Sequence, residues 1–261
     1  MTKFNISNII TIALLIVLSF FKVYLSFSIQ TYVLLFILIL VLYTSYLFVG
    51  SYFVCSNIYM KAICKAKENK KSIALSFDDG PDENVTPEIL RVLKEQNAKV
   101  VFFVKGANAE KYPDIIQKIV EDGHIIGNHT FSHSSNVAFL NRKKITKEIE
   151  QTNKLISCFT GQSPRFFRPP FGVLNPIIAS VAEKFEMITI GWSIRSFDGG
   201  SRSKELIISN LKIKIHGGAI ILFHDTNPGT VNVIKEFLDY LAQTDYKVER
   251  LDKMINIEPY V

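Results

Sequence analysis

The sequence predicts an α/β fold of about seven βα units, preceded by two helices that cross a membrane. Two observations lead to this prediction. Residues 1–54 are almost free of charge, whereas the rest of the chain alternates short apolar runs with amphipathic stretches. The second pattern is typical of parallel strands joined by helices. A chain of 261 residues with 48% hydrophobic composition can form one sizeable core and still carry the extra segment.

The N-terminal segment contains two apolar stretches, residues 6–27 and 31–54, each long enough to cross about 30 Å of hydrocarbon as a helix. Lys3 and Lys22 are the only charged residues before position 55. We therefore predict a transmembrane hairpin in residues 1–54, with Lys22 reaching the interface. A cleaved signal peptide is the alternative, but the sequence YLSFSIQ offers a poor cleavage site.

Residues 55–71 are predicted to be a juxtamembrane linker before a domain at 72–261. The linker holds five lysines and one acidic residue, which by the positive-inside rule favours the cytoplasm. Large domains cross membranes regardless of such charge, so the side of the membrane stays open. Cys55 and Cys64 either pair in an oxidising compartment or remain free thiols. The net charge of +6 is dispersed without a basic stripe, so no nucleic-acid partner is expected.

Beyond residue 71, seven apolar runs read as strands and six amphipathic stretches as helices. Several helix ends carry the expected signals, including Pro87 near a start and Gly123 and Gly161 at stops. Buried parallel strands of this kind either close as a barrel or form an open doubly wound sheet. The predicted strands are SIALSF, KVVFFV, HIIGNH, RFFRPP, MITIGW, AIILFH and YKVERL, and the predicted helices are 86–96, 110–123, 142–160, 176–184, 204–215 and 231–242.

Polar side chains follow five of the predicted strands. In both arrangements the carboxyl ends of the strands carry the chemistry, so these side chains are expected to meet at one mouth. They are Asp78 with Asp79, His129, Arg168, Trp192 with Asp198, and His224 with Asp225.

A metal site is one interpretation of three of these residues. His129 and His133 are four residues apart, and on a helical turn this spacing would place them on one face. With Asp79 they supply two nitrogens and one oxygen, leaving a fourth position open, as in catalytic zinc sites. Asp78, next to a ligand, would then act as a base. The alternatives are an incidental histidine pair and an ordinary Asp-Gly turn.

The remaining polar residues also have two interpretations each. Arg168 is either a surface residue or the partner that keeps Asp78 ionised. His224 is either satisfied by the backbone or a general acid near a carboxylate. Asp198 either contacts Arg168 or begins a turn. Trp192 belongs either to the core or to a pocket wall.

The stiff segment FRPPFG offers one backbone donor. Pro169 and Pro170 have no N–H, whereas the Phe171 N–H is available to an oxyanion.

The ordered motifs SFDDGP, HTFSH, RPPFG, WSIRSFD and LFHD resemble those of the polysaccharide deacetylase family, the carbohydrate esterases that share the nodulation-factor deacetylase homology domain. The resemblance covers residues 73–251 and excludes the hairpin. Three positions depart from the usual pattern: Ser76 stands for Thr, Phe171 for Tyr, and Gly199 for Trp. The last departure weakens the assignment of Asp198.

The resemblance implies a distorted (β/α) barrel and a divalent metal, commonly zinc. The resemblance implies that Asp79, His129 and His133 are the metal ligands, that Asp78 is the catalytic base and that His224 is the catalytic acid. It also implies that Arg168 and Asp198 support the base and that Asp225 tunes the acid. Leu222 is assigned to the substrate pocket, together with Trp192 and Pro170.

The expected reaction is hydrolysis of N-acetyl groups on the amino sugars of a peptidoglycan or chitin-like glycan. Two alternatives remain from the sequence: a deacylase of a lipid-linked amino sugar, and a catalytically silent, membrane-tethered carbohydrate-binding protein.

Overall fold

A computed structural model describes residues 2–67 and 71–261 of the chain. Helices α1 (Lys3–Tyr24) and α2 (Ile29–Tyr52) contact each other, and the Tyr43 hydroxyl donates a hydrogen bond to Asn8 Oδ1 at 2.6 Å. Both are long and apolar enough to cross a membrane, and only 6% of the most apolar window of each is buried. Their exposed apolar surface is compatible with lipid contact, and the membrane assignment itself remains a prediction.

The rest of the described chain alternates strands with helices. The strands are β1 (Ala62–Ile63), β2 (Ser72–Asp78), β3 (Val101–Val104), β4 (Ile125–Asn128), β5 (Phe166–Phe167), β6 (Ile188–Ile190), β7 (Ile194–Arg195), β8 (Ile220–His224) and β9 (Lys247–Val248). The helices are α3 (Val85–Glu95), α4 (Gly106–Lys111), α5 (Pro113–Glu121), α6 (Arg142–Thr160), α7 (Pro176–Lys184), α8 (Lys204–Lys214), α9 (Pro228–Leu241) and α10 (Leu251–Ile255).

The strands form one parallel sheet that curls round on itself. Its order is β1-β6-β5-β4-β3-β2-β8-β7, and β9 also pairs with β2. Strand β6 pairs with β5, whereas β7, only a few residues further along the chain, pairs with β8. The segment 188–195 therefore bridges β5 and β8, which lie at opposite ends of the row of strands β5-β4-β3-β2-β8. This arrangement confirms the distorted barrel rather than an open sheet.

Strand periodicity decides which side chains enter the barrel. On β2, Ile73, Leu75 and Phe77 pack into the apolar layer beneath the helices, whereas Ala74 belongs to the barrel interior. Because alternate residues share a face, Ser76 and Asp78 point inward with Ala74. The first carboxylate of the DDGP motif is thus delivered to the interior at the carboxyl end of the strand.

Prolines account for two helix boundaries that the sequence pattern misplaced. The helix expected at 110–123 is divided at Tyr112 into α4 and α5, because Pro113 lacks an N–H and occupies the first turn of a new helix. Helix α9 likewise begins at Pro228 instead of 231, with the Asn227 side chain accepting a hydrogen bond from the Gly229 N–H at 2.9 Å.

The segment predicted as a linker packs against the barrel where it is described. Strand β1 pairs with β6, and Val54, Ile58 and Tyr59 are buried. The lysines of this segment are compatible with a solvated linker, but three of them alternate with Ala62, Cys64 and Ala66, as in a strand with one face more buried than the other. Of the linker, residues 68–70 lie outside the described chain.

Two further contacts fasten this segment. Cys55 and Cys64 form a disulfide bond, and the Leu174 N–H donates to the Ser51 carbonyl at 3.1 Å. The helical hairpin of α1 and α2 therefore ends against the loop that follows β5.

Candidate active site

Asp78 and Arg168 form a buried ion pair at the mouth of the barrel. Asp78 ends β2, and its Oδ1 accepts a hydrogen bond from Arg168 Nη1 at 2.7 Å. Arg168 follows β5 and is completely buried. Burial lowers the pKa of Arg168, but Asp78 opposes that change and guanidinium stays charged in proteins. The expected contact between Arg168 and Asp78 is confirmed.

Three further hydrogen bonds hold the Arg168 guanidinium. They reach Ser76 Oγ at 2.8 Å, the Ile190 carbonyl at 3.0 Å and the Gly191 carbonyl at 2.8 Å. A buried charge is stable only when it is paired and hydrogen-bonded, so this shell fixes the orientation of the arginine. Ser76, one of the three departures from the family pattern, accepts one of these hydrogen bonds from Arg168.

Asp79 presents an unpaired oxygen to two imidazoles. Its φ of 80° turns the chain out of β2, and its carbonyl accepts a hydrogen bond from Asn108 Nδ2 at 2.9 Å. Oδ1 is buried and has no hydrogen-bond partner among the described residues. It lies 3.3 Å from His133 Nε2, 3.9 Å from His129 Nε2 and 3.8 Å from Lys105 Nζ. A buried carboxylate oxygen without a hydrogen bond is the kind of atom that a cation satisfies.

The tautomer of His129 follows from its backbone partner. Its Nδ1 lies 2.7 Å from the Arg168 carbonyl, and a carbonyl only accepts, so Nδ1 carries the proton. In the neutral imidazole the lone pair is then on Nε2, which lies 3.8 Å from Asp78 Oδ2 and 3.9 Å from Asp79 Oδ1. A ligand histidine whose other nitrogen donates to a backbone carbonyl is the usual arrangement at metal sites.

His133 is held by a loop whose supports come from α6. The Glu148 carboxylate accepts hydrogen bonds from the backbone N–H groups of Phe131 at 3.0 Å and Ser132 at 2.7 Å, and from the Ser132 hydroxyl at 2.8 Å. Burial, together with the neighbouring His129, lowers the pKa of His133 to about 4. The neutral imidazole is the form that binds metal. Sequence reasoning missed Glu148, because nothing in the local pattern links it to a loop 16 residues away.

Asp79, His129 and His133 fit a divalent cation. One ligand atom from each residue lies within 4.8 Å of the others. Two imidazole nitrogens and one carboxylate oxygen form a donor set that zinc accepts, with room for a further ligand. The unpaired Asp79 Oδ1 and the proton position on His129 support the same assignment.

His224 forms a second pair, with Asp198. The His224 Nδ1 lies 2.9 Å from Asp198 Oδ1, and its backbone N–H donates to Oδ2 at 2.8 Å. Thr230 and Ser196 hydroxyls donate to the same carboxylate at 2.7 and 2.6 Å. Burial alone lowers the pKa of His224, but the hydrogen bond and charge of Asp198 outweigh it, and the net shift is upward.

Two expected contacts are therefore wrong. Asp198 was expected beside Arg168, yet it supports His224. Asp225 was expected to tune His224, yet its carboxylate accepts from Thr86 Oγ1 at 2.8 Å and packs against Gly80, where a Cβ would collide with it. Neighbouring residues of a strand point to opposite faces, which sends Asp225 away from His224. Burial raises the pKa of Asp225 to about 7.

The two pairs and the metal ligands surround one cavity of about 780 Å³. Trp192 and Leu222 line it, as expected for a substrate pocket. Phe171 also lines it, with φ 58° and its ring centre 4.5 Å from that of His133. Pro170 was assigned to the pocket, but it is buried and does not line the cavity. The role of the Phe171 N–H remains a prediction.

Fold and site together define the class of protein, a (β/α) barrel with a candidate metal centre at its mouth. Comparison with known proteins identifies the family within this class. The family model for polysaccharide deacetylase matches residues 65–190. A peptidoglycan-N-acetylglucosamine deacetylase of Bacillus cereus is 37% identical over 171 residues, 66% of this chain and 62% of the relative. A chitooligosaccharide deacetylase of Azorhizobium caulinodans is 34% identical over 162 residues, 62% of this chain and 77% of the relative. The chain belongs to the polysaccharide deacetylase family.

Solved structures agree with this assignment. The crystal structure of the Bc1960 peptidoglycan N-acetylglucosamine deacetylase aligns with a TM-score of 0.72 at 33% identity, covering 76% of this chain and 94% of that one. BA3943 from Bacillus anthracis, described as a CE4 family pseudoenzyme, aligns with a TM-score of 0.69 at 27% identity, covering 74% and 68%. The match to the Bacillus cereus relative spans less than two thirds of its length. A similar fold is thus found in a protein described as a pseudoenzyme. The fold alone therefore does not establish activity, and the evidence for function comes from the side chains at the barrel mouth.

Proposed function

We propose that the protein is a metal-dependent deacetylase that removes N-acetyl groups from the amino sugars of a polysaccharide, peptidoglycan in the first instance. The observation that carries this proposal is the meeting of a ligand triad, a paired carboxylate and a paired histidine around one cavity. The relatives named for peptidoglycan and chitooligosaccharide deacetylation support the substrate class.

Asp79, His129 and His133 would hold the cation, most readily zinc. When bound there, a divalent cation supplies Lewis acidity and makes a water acidic enough to lose its proton near neutral pH. Asp78, paired with Arg168 through Oδ1, accepts that proton at Oδ2, the oxygen that Arg168 Nη1 does not engage. Phe171 offers its N–H to the oxygen of the acetyl group as charge develops there.

His224 acts at the other end of the reaction. Protonated on both nitrogens, it donates the Nε2 proton to the departing amine, while Asp198 holds the Nδ1 proton. Water adds its oxygen to the acetyl carbon and the C–N bond breaks, so the products are acetate and a free amino sugar. Leu222 lines the cavity beside these groups and offers an apolar contact to the acetyl methyl.

The proposal is tested by acetate release from defined N-acetylated glycans by the full chain in detergent. Removing the metal with a chelator is expected to abolish release, and adding back zinc is expected to restore it. Metal analysis of the untreated protein is expected to give one ion per chain. Retention of full activity by protein from which the metal has been stripped would refute the metal-dependent mechanism.

We further propose that the barrel lies on the outer side of the membrane. The Cys55–Cys64 disulfide supports this side, because structural disulfides persist in oxidising compartments and are rare in the cytosol. The lysines after the hairpin point the other way, but large domains are translocated regardless of such charge.

Cys158 is an exposed free cysteine and so reports the side directly. In protoplasts, a membrane-impermeant maleimide is expected to label the wild-type protein without lysis and to leave a Cys158→Ser variant unlabelled. Labelling of Cys158 that requires lysis would place the barrel inside.

A further inference from the structure

The end of β7 and the loop that follows it bring two arginines to the catalytic cavity. Arg195, Phe197 and Arg202 line the same cavity as Asp78 and His224. The guanidinium carbon of Arg202 lies 4.0 Å from the centre of the Phe197 ring, and that of Arg195 lies 5.3 Å from it. Both positive charges are therefore gathered around one aromatic ring at the rim of the site.

Neither guanidinium has an anionic partner among residues 2–67 and 71–261. Each contacts the ring of Phe197 instead. Two other arginines of the protein differ. Arg91 bonds to Glu88 and Glu95, and Arg250 bonds to Asp252. The acidic residues that line the cavity are Asp78 and Asp79, which are engaged with Arg168 and the histidines. Two like charges held together without a counterion favour the binding of an anion.

Both arginines are exposed, and they flank a part of the chain that is anchored. Asp198 lies between them in sequence and is tied to His224, Ser196 and Thr230 by hydrogen bonds of 2.6–2.9 Å. Stacking on an aromatic ring also restricts the guanidinium rotamers. Such restriction reduces the entropy lost when a ligand binds.

We propose that Arg195 and Arg202, stacked on Phe197, form an anion subsite for a carboxylate or phosphate group that the glycan carries next to the N-acyl sugar. The inference rests on the proposed function and deepens it, because it names the substrate class as an anionic amino sugar. Planar guanidinium groups bind carboxylate and phosphate oxygens in a bidentate manner, and the cavity of about 780 Å³ has room for more than an acetamido group.

Three glycans test the proposal and distinguish the sources of the anion. They are neutral N-acetylated chitotetraose, a peptide-free glycan containing N-acetylmuramic acid, and an N-acetylglucosamine oligosaccharide carrying a 6-phosphate. The full chain in detergent, as wild type, Arg195→Gln/Arg202→Gln and Arg142→Gln, is assayed for kcat and KM and, by titration calorimetry, for binding. Arg142 is exposed, bonds to Ser180 and does not line the cavity, so it controls for loss of one surface charge.

The double variant is expected to lose about tenfold more kcat/KM on an anionic glycan than on the neutral one, mainly through KM, because two charge-assisted contacts are removed. Binding of that glycan by calorimetry is expected to weaken in parallel, and added salt to weaken it in the wild type. The glycan that shows this difference, carboxylate or phosphate, identifies the anion. The Arg142→Gln variant is expected to match wild type.

Equal losses on neutral and anionic glycans, or no loss on any, would overturn the anion subsite while leaving the deacetylase proposal intact. Absence of acetate release from every glycan would instead refute the proposed function. In that case the calorimetric difference between the wild type and the double variant still decides the subsite.

Discussion

The two carboxylate pairs at the barrel mouth are built in opposite orientations. In the pair from β2 and β5, the carboxylate of Asp78 faces the cavity and the cation, Arg168, is sealed behind it with no exposed surface. In the pair beside β8, His224 faces the cavity with 16% of its side chain exposed, and the carboxylate of Asp198 is sealed behind it at 1%. The strands that carry Asp78 and His224 are neighbours, and these two residues are in register.

This inversion indicates which group takes a proton and which gives one. A buried cation favours the charged, unprotonated form of the carboxylate in front of it. A buried carboxylate favours the charged, protonated form of the histidine in front of it, and the pKa of His224 is raised accordingly once the lowering effect of burial is outweighed. A cation thus lies behind the proposed base and a carboxylate behind the proposed acid, and this arrangement supports the two proposed roles independently of the sequence motifs.

The largest expected effect is on the base. Asp78→Asn keeps the shape of the side chain but cannot accept the proton, so kcat is expected to fall by about 10²–10⁴ with metal content unchanged. Acetate release and metal analysis on the same preparation measure both quantities. Asp239→Asn, on the exposed face of α9, is the matched control and is expected to behave as wild type. Full activity of the Asp78 variant would remove this residue from the mechanism.

Loss of the sealed cation is expected to affect folding. Arg168→Met leaves Asp78 buried beside no positive partner, which costs about 3–5 kcal/mol in the free energy of unfolding. Chemical denaturation followed by circular dichroism provides the measurement. Arg142→Met changes the same residue type at an exposed position and is expected to shift stability by less than about 0.5 kcal/mol. Equal stabilities for the two variants would contradict the role of Arg168 as the sealed partner of Asp78.

Loss of the sealed carboxylate is expected to appear mainly in the pH dependence. His224 must be protonated to act, so activity falls as pH rises through its pKa, which Asp198 holds above the ordinary value. In Asp198→Asn the lowering effect of burial is no longer outweighed, and the alkaline limb of the kcat profile moves to lower pH. The variant is therefore expected to lose more activity at about pH 8 than at about pH 6. A profile that is lower but unshifted would show that Asp198 acts only structurally.

The repeated βα units and the strand ends that carry chemistry were predictable, because apolar periodicity and strand order are local properties. The segment 55–67 was not, since its lysines match a solvated linker as well as a strand with one buried face. Its pairing with β6 depends on residues more than a hundred positions away. The pairing of Cys55 with Cys64 was not predictable either, because it depends on the redox compartment, and the sequence does not determine on which side of the membrane the two residues lie.

The candidate site likewise has features that the sequence predicted and features that it did not. The meeting of the ligand triad and the contact of Arg168 with Asp78 followed from residue type and from the shared mouth of parallel strands. The pairing of Asp198 with His224, and of Asp225 with Thr86, did not, because the order of residues along the chain does not tell which carboxylate the fold brings to the histidine. Glu148 and Thr230 gave no local signal at all, since each acts on a loop brought to it by the fold.

The sequence by itself determined which functional groups the barrel mouth receives: two aspartates after β2, two histidines after β4, an arginine after β5 and a histidine at the end of β8. Only the tertiary structure decided how those groups are paired, and that Arg195 and Arg202 join them at the rim. The physical reason is that strand order and alternation of faces set where a side chain emerges, whereas charge pairing depends on distances between strands and loops that are remote in the chain.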